Sequence, residues 1–221
     1  MLSEADRVRV GEAVTRAESS SDGEIVTVVA EASDAYHDVV LHWALLVLFL
    51  WLAVVAALPR FFTGVLDSIG GGWSGWSAGE LLAVELIVAA ALFLIARYIF
   101  GLPRLRLLLT PDSTKARRVR RRAVLLFRLT ADNRTRAKTG VLLYLSIAER
   151  RAEIVADASI NDRVTPETWG EAMHALIAAV KDKRAADGMV AAVEKMGAVL
   201  AEHFPRSADD TNELPDRLIL L

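Results

Sequence analysis

The sequence predicts an α/β domain interrupted by a two-helix membrane hairpin, and three observations carry that reading. Two apolar stretches of 20 residues, 39–58 and 81–100, stand in mid-chain only 22 residues apart. Short, uniformly apolar, β-rich runs flank them, EIVTVVA at 24–30 and GVLLYLSI at 140–147. The remaining chain places its apolar residues at helical spacing. Hydrophobic residues make up 53% and charged residues 24%, a pairing that fits a chain living in two phases. Outside 39–100 enough chain remains for one domain with its own core.

In chain order, Ser3 caps a first helix, with Asp6 placed to complete a capping box, and the SSSDG run at 19–23 ends it. Residues 24–30 then form a strand covered on both faces, because no polar alternation marks a solvent side. A 20-residue helix rises about 30 Å, the thickness of a bilayer's hydrocarbon core, so 39–58 and 81–100 are expected to cross it twice. Trp51, Trp73, Trp76 and Tyr98 flank the spans as interfacial anchors. Loop 59–80, with GGGWSGWSAG at 70–79, reads as a flexible outer connection; it lacks the Gly-Lys-Ser/Thr ending of a phosphate loop. Thr110-Pro111 starts a helix with Pro at its first position. Strands at 140–147 and 152–156 are joined by a turn short enough to make them antiparallel. Thr165-Pro166 begins a helix with Trp169, Met173, Leu176, Ile177 and Val180 on one face. Asp187-Gly188 begins the last, with Met189, Val193, Met196, Leu200 and Phe204 aligned; these stripes are core, not ligand sites. The tail 206–221 is polar but ends in LILL, which docks on the domain or the membrane.

Charge sets the expected orientation. Segment 101–138 holds 12 Lys or Arg against two acids, whereas loop 59–80 has only Arg60 among bases. Positive loops stay inside, so both termini and the soluble part are expected in the cytoplasm of a cell whose inner (plasma) membrane holds the hairpin. MLSEADRVRV lacks a signal-peptide pattern. Arg97 and Glu85, near opposite ends of the second span, are expected to snorkel to the headgroups.

Few residues point to chemistry. There is no cysteine, which excludes disulfides and thiolate sites. His37, His42, His174 and His203 have no Ser or Cys partner in a recognisable arrangement. Lys115, Arg117, Arg118, Arg120, Arg121 and Arg122 lie on one helix whose other face carries Ala116, Val119, Ala123 and Phe127. A basic amphipathic helix beside a membrane span is expected to bind anionic lipid. Nucleic acid is excluded as a partner, because no stacking aromatics are interleaved. Ligands in open α/β sheets collect at the carboxyl ends of strands. Glu31 and Asp34 follow the first strand there, and Asp157, Asn161 and Asp162 follow the third. Asp34, Asp157 and Asp162 are the candidate oxygen ligands for calcium or magnesium.

The capped first helix, SSSDGEIVTVVA, TGVLLYLSIAERRAEIVAD, the Trp-bearing helix and DGMVAAVEKMGAVL together closely resemble the TPM domain family. The resemblance spans about 1–35 and 135–205 and implies a three-layer α/β/α sandwich, here of a bacterial subgroup with an inserted transmembrane hairpin. The chain then divides into a first domain part (1–38), the hairpin (39–100), a basic juxtamembrane helix (101–136), a second domain part (137–205) and a tail (206–221). Some members are calcium-binding acid phosphatases; others assemble or maintain membrane complexes or act as receptor accessory proteins. Members commonly open on an acidic Asp-Tyr segment and carry glycine where Asp157 stands, so the expected role is a non-catalytic binding, assembly or maintenance module for membrane proteins. A calcium-dependent acid phosphatase is the alternative. A homo-oligomer is left open.

Overall fold

The computed structural model describes residues 2–69, 75–131, 139–207 and 213–221. In order, its elements are α1 (Glu4–Glu18), β1 (Glu24–Ala30), α2 (His37–Ala57), α3 (Pro59–Ile69), α4 (Ala78–Gly101), α5 (Pro103–Leu109) and α6 (Asp112–Thr130). There follow β2 (Gly140–Ser146), β3 (Arg151–Ala156), α7 (Ala158–Asn161), a 3₁₀ turn at Pro166–Trp169, α8 (Gly170–Lys181), α9 (Ala185–His203) and β4 (Ile219–Leu220). They divide into two compact units, Met1–Asp34 with Asp112–Leu221, and Ala35–Pro111.

The first unit is built on a sheet of order β3-β2-β1-β4. β1 runs parallel to β2, from Glu24↔Gly140 to Ala30↔Ser146, and β2 runs antiparallel to β3. All seven residues of β1 and of β2 are buried, as continuous apolar strands require. Ile25, Val29, Val141, Leu143 and Leu145 face the core closed by α1, α8 and α9, which contributes Val10, Val14, Leu176, Met189, Met196 and Leu200. Val26, Val28, Leu142 and Tyr144 face the other way, against Val119, Ala123 and Phe127 of α6. The result is a three-layer α/β/α sandwich. α1 and α9 approach so closely that a Cβ on Gly197 would stand 2.6 Å from that of Ala17.

Local signals hold well. Ser3 and Asp6 form the expected capping box, and β1 occupies the predicted residues. In the first unit three helix starts differ. Pro111 precedes α6 instead of occupying its first position, and the basic segment is broken into α5 and α6, because a residue before proline avoids the helical region. The stretch after Thr165 makes a 3₁₀ turn before becoming α-helical at Gly170. α9 begins at Ala185, two residues before Asp187. The apolar tail supplies a fourth strand: Leu218 is buried and Ile219–Leu220 pairs in parallel with Val28–Val29.

The second unit is helical. α2 and α4, 21 and 24 residues long, are each long and apolar enough to cross a membrane. The Trp43 ring meets that of Phe100 at 6.3 Å, and the Trp51 indole N–H donates to Glu85 Oε1 at 2.8 Å. These two pairings make the helices antiparallel. Glu85 is therefore engaged by Trp51, where snorkelling alone was expected; Arg97 is exposed. Leu46, Phe49, Leu50, Leu82, Leu86 and Leu94 are all exposed, an apolar surface far larger than single scattered residues would give. Half of the expected outer loop is α3, whose Phe62 stacks edge-on with Trp51 at 5.2 Å. Trp73 lies outside the described residues.

Candidate functional site

The sheet has two ends, and each carries polar side chains. At the carboxyl ends of β1 and β2, the Ser33 N–H donates to Glu149 Oε1 at 2.9 Å, and its hydroxyl meets the Tyr144 hydroxyl at 2.9 Å. Ser146 donates to the other oxygen of Glu149. Burial raises the Tyr144 phenol above its ordinary range, so it stays a neutral hydrogen-bonding group. Asp34 is bound by the Arg118 guanidinium from α6 at 2.8 Å.

At the opposite end, Asp157 is buried and accepts the Gly140 N–H at 2.9 Å, tying the start of β2 to the end of β3. Glu18, at the last turn of α1, accepts the Ile25 N–H at 2.7 Å. Burial pushes its carboxyl up to about 9; the Ile25 bond opposes this, while the negative charges of Glu24 and Asp216 add to it. Glu24 accepts the backbone N–H groups of Glu213 and Leu214, at 3.2 and 3.1 Å, and the Thr15 hydroxyl donates to Asp216 at 2.7 Å. These carboxylates clasp the chain that leads into β4.

The predicted acid trio is therefore not assembled. β3 runs against β1, so the carboxyl end of β3 lies beside the amino end of β1, with Val141↔Ala156 next to Gly140↔Glu24. Asp34 and Asp157 stand at opposite ends of seven-residue strands, about 20 Å apart at the usual strand rise. Asp162 follows α7 and is exposed, and the Asn161 side chain is spent on the Ala156 carbonyl. Among the described residues no three His, Cys, Asp or Glu side chains converge as metal ligands would.

Residues 105–199 match the family model described as TPM domain. That segment holds α6, β2, β3, α7, α8 and most of α9, and its sheet is completed by β1 from before the helical insertion. Over these residues the chain is similar to the TPM domain. The NMR structure of BA42 protein from the psychrophilic bacterium Bizionia argentinensis has the same fold, with a TM-score of 0.57 and 19% identity over 100% of this chain and 96% of that one. No curated protein matches the chain.

In this domain the six α6 residues expected to bind lipid, Lys115, Arg117, Arg118, Arg120, Arg121 and Arg122, do not act as one patch. Lys115 pairs with Asp112 at 3.3 Å, Arg118 with Asp34, and Arg120 with Glu153 at 3.1 Å and with the Ile154 carbonyl. Arg117, Arg121 and Arg122 are exposed. The clasp of Glu18, Glu24 and Asp216 was missed, although Glu18 continues the buried Val10–Val14 stripe at i+4 spacing and was thereby legible. The Ser33–Tyr144–Glu149 network carried no sequence signal, because it joins residues more than a hundred positions apart.

Proposed function

We propose that the protein is a membrane-anchored TPM domain that works without catalysis, as a binding module that assembles or maintains membrane protein complexes. The observation that supports this reading is the antiparallel register of β3, which separates Asp34 from Asp157 by the length of the sheet. A divalent ion that polarises a phosphate and activates water needs several oxygen ligands converging on one point. The polar groups at the carboxyl ends of β1 and β2 instead bind one another, and Asp34 is neutralised by Arg118. The exposed apolar surfaces of α2 and α4 suit a lipid environment.

The test has two arms. Full-length protein purified in detergent should hydrolyse an aryl phosphate no faster than a protein-free blank, with calcium, magnesium or neither. Metal-dependent turnover that drops at least tenfold in Asp34→Asn would establish the phosphatase alternative. Crosslinking in native membranes followed by mass spectrometry should return the same integral membrane proteins in independent preparations. Recovery of membrane proteins merely in proportion to abundance would contradict the binding role.

A further inference from the structure

The outward face of α6 is a mixed basic and apolar surface. Val119, Ala123 and Phe127 are buried against the sheet, and at 3.6 residues per turn Arg117, Arg121, Leu125 and Arg128 fall on the opposite side. Leu125 is 47% and Leu129 58% exposed. Arg117, Arg121 and Arg128 line a shallow groove with Val124 and Leu125. Among the described residues none of these three arginines has an ion-pair partner, unlike Lys115, Arg118 and Arg120. No acidic residue occurs from Ser113 to Ala131.

Unpaired arginines interleaved with exposed leucines match a surface that is anionic outside and apolar just beneath. Lipid headgroups over acyl chains provide that combination, and interfacial helices use it. Nucleic acid would satisfy the arginines but not the leucines. Arg117 also lies only 16 residues beyond Gly101, the end of the second candidate span, so a bilayer is held at high local concentration by the chain itself. We infer that this face of α6 docks on an anionic bilayer surface, with Arg117, Arg121 and Arg128 on lipid phosphates and Leu125 and Leu129 at the headgroup boundary. The inference rests on the membrane-anchored reading above.

The absence of cysteine lets Leu125→Cys carry one environment-sensitive fluorophore on the full chain, reconstituted into lipid nanodiscs. In discs containing phosphatidylglycerol the label should shift to the blue and be quenched by spin-labelled lipid. In phosphatidylcholine discs, or in high salt where charge is screened, both effects should shrink. Each arginine is expected to contribute roughly five-fold to retention at the surface. Arg117→Gln/Arg121→Gln/Arg128→Gln should therefore abolish quenching, while Lys115→Gln, whose side chain faces Asp112, should leave it unchanged. Equal quenching in both lipids, quenching that survives the triple substitution, or a label shielded without lipid quenching (the mark of a protein partner) would overturn the inference. Entry into the discs without quenching defeats this inference alone; failure to enter them defeats the anchored reading as well.

Discussion

Glu18 shows what a single buried carboxyl does to this fold. Its environment pushes the native carboxyl up to about 9 from 4.5. Between those values the folded protein holds a proton that the unfolded chain has released, so stability is full below about pH 4.5 and falls as pH rises toward 9. Each pKa unit corresponds to ~1.4 kcal/mol, and a loss of ~1 kcal/mol lowers the Tm of a protein this size by roughly 2–4 °C. The detergent-solubilised protein should lose several degrees of Tm between pH 5 and pH 9. Glu18→Gln keeps an oxygen for the Ile25 N–H but cannot ionise, so its Tm should change less over the same interval. Equal slopes for the two proteins would refute the assignment. Burial is the main reason the charge stays off Glu18, and the negative charges of Glu24 and Asp216 add to it.

Among the elements, β4 is the one least expected from its size. Two paired residues cannot carry a periodic pattern, yet Leu218 is 1% exposed and anchors them. β4 also covers the edge of β1, which would otherwise present unpaired backbone groups to solvent. Leu218→Ala should destabilise the domain by about 2–5 kcal/mol, the usual range for a buried leucine lost from a core, read as a lowered denaturation midpoint. A change below about 1 kcal/mol would show that the tail is only loosely held. The longer strands were legible because burial on both faces leaves a continuous apolar run, and α1 was legible because Ser3 and Asp6 mark its start. The candidate site was not, for a directional reason. The antiparallel turn between β2 and β3 was itself predictable, and it sends the chain after β3 to the end of the sheet opposite Asp34. Acids that each follow a strand converge only when those strands run the same way.

At the scale of the whole molecule, sheet pairing constrains the membrane crossing. β1 ends before the helical insertion and β2 begins after it, yet the two share seven register pairs. Both flanks of the insertion must therefore lie on one side of any bilayer, which requires an even number of crossings. α2 and α4, each long and apolar enough to span a bilayer, are candidates for two. By the positive-inside rule, the 12 basic residues of 101–138 predict that this side is the cytoplasm. The sheet-bearing unit would then be an inward-facing body, its sheet built from chain on both sides of the insertion in sequence. The most direct measurement uses paired reporters, one active only in the cytoplasm and one only outside it, fused after Leu221 and inserted beside Ser77. The C-terminal fusion should be active as the cytoplasmic reporter and the Ser77 insertion as the external one. Both sites reporting the same side, or a C-terminus active only outside, would contradict the account.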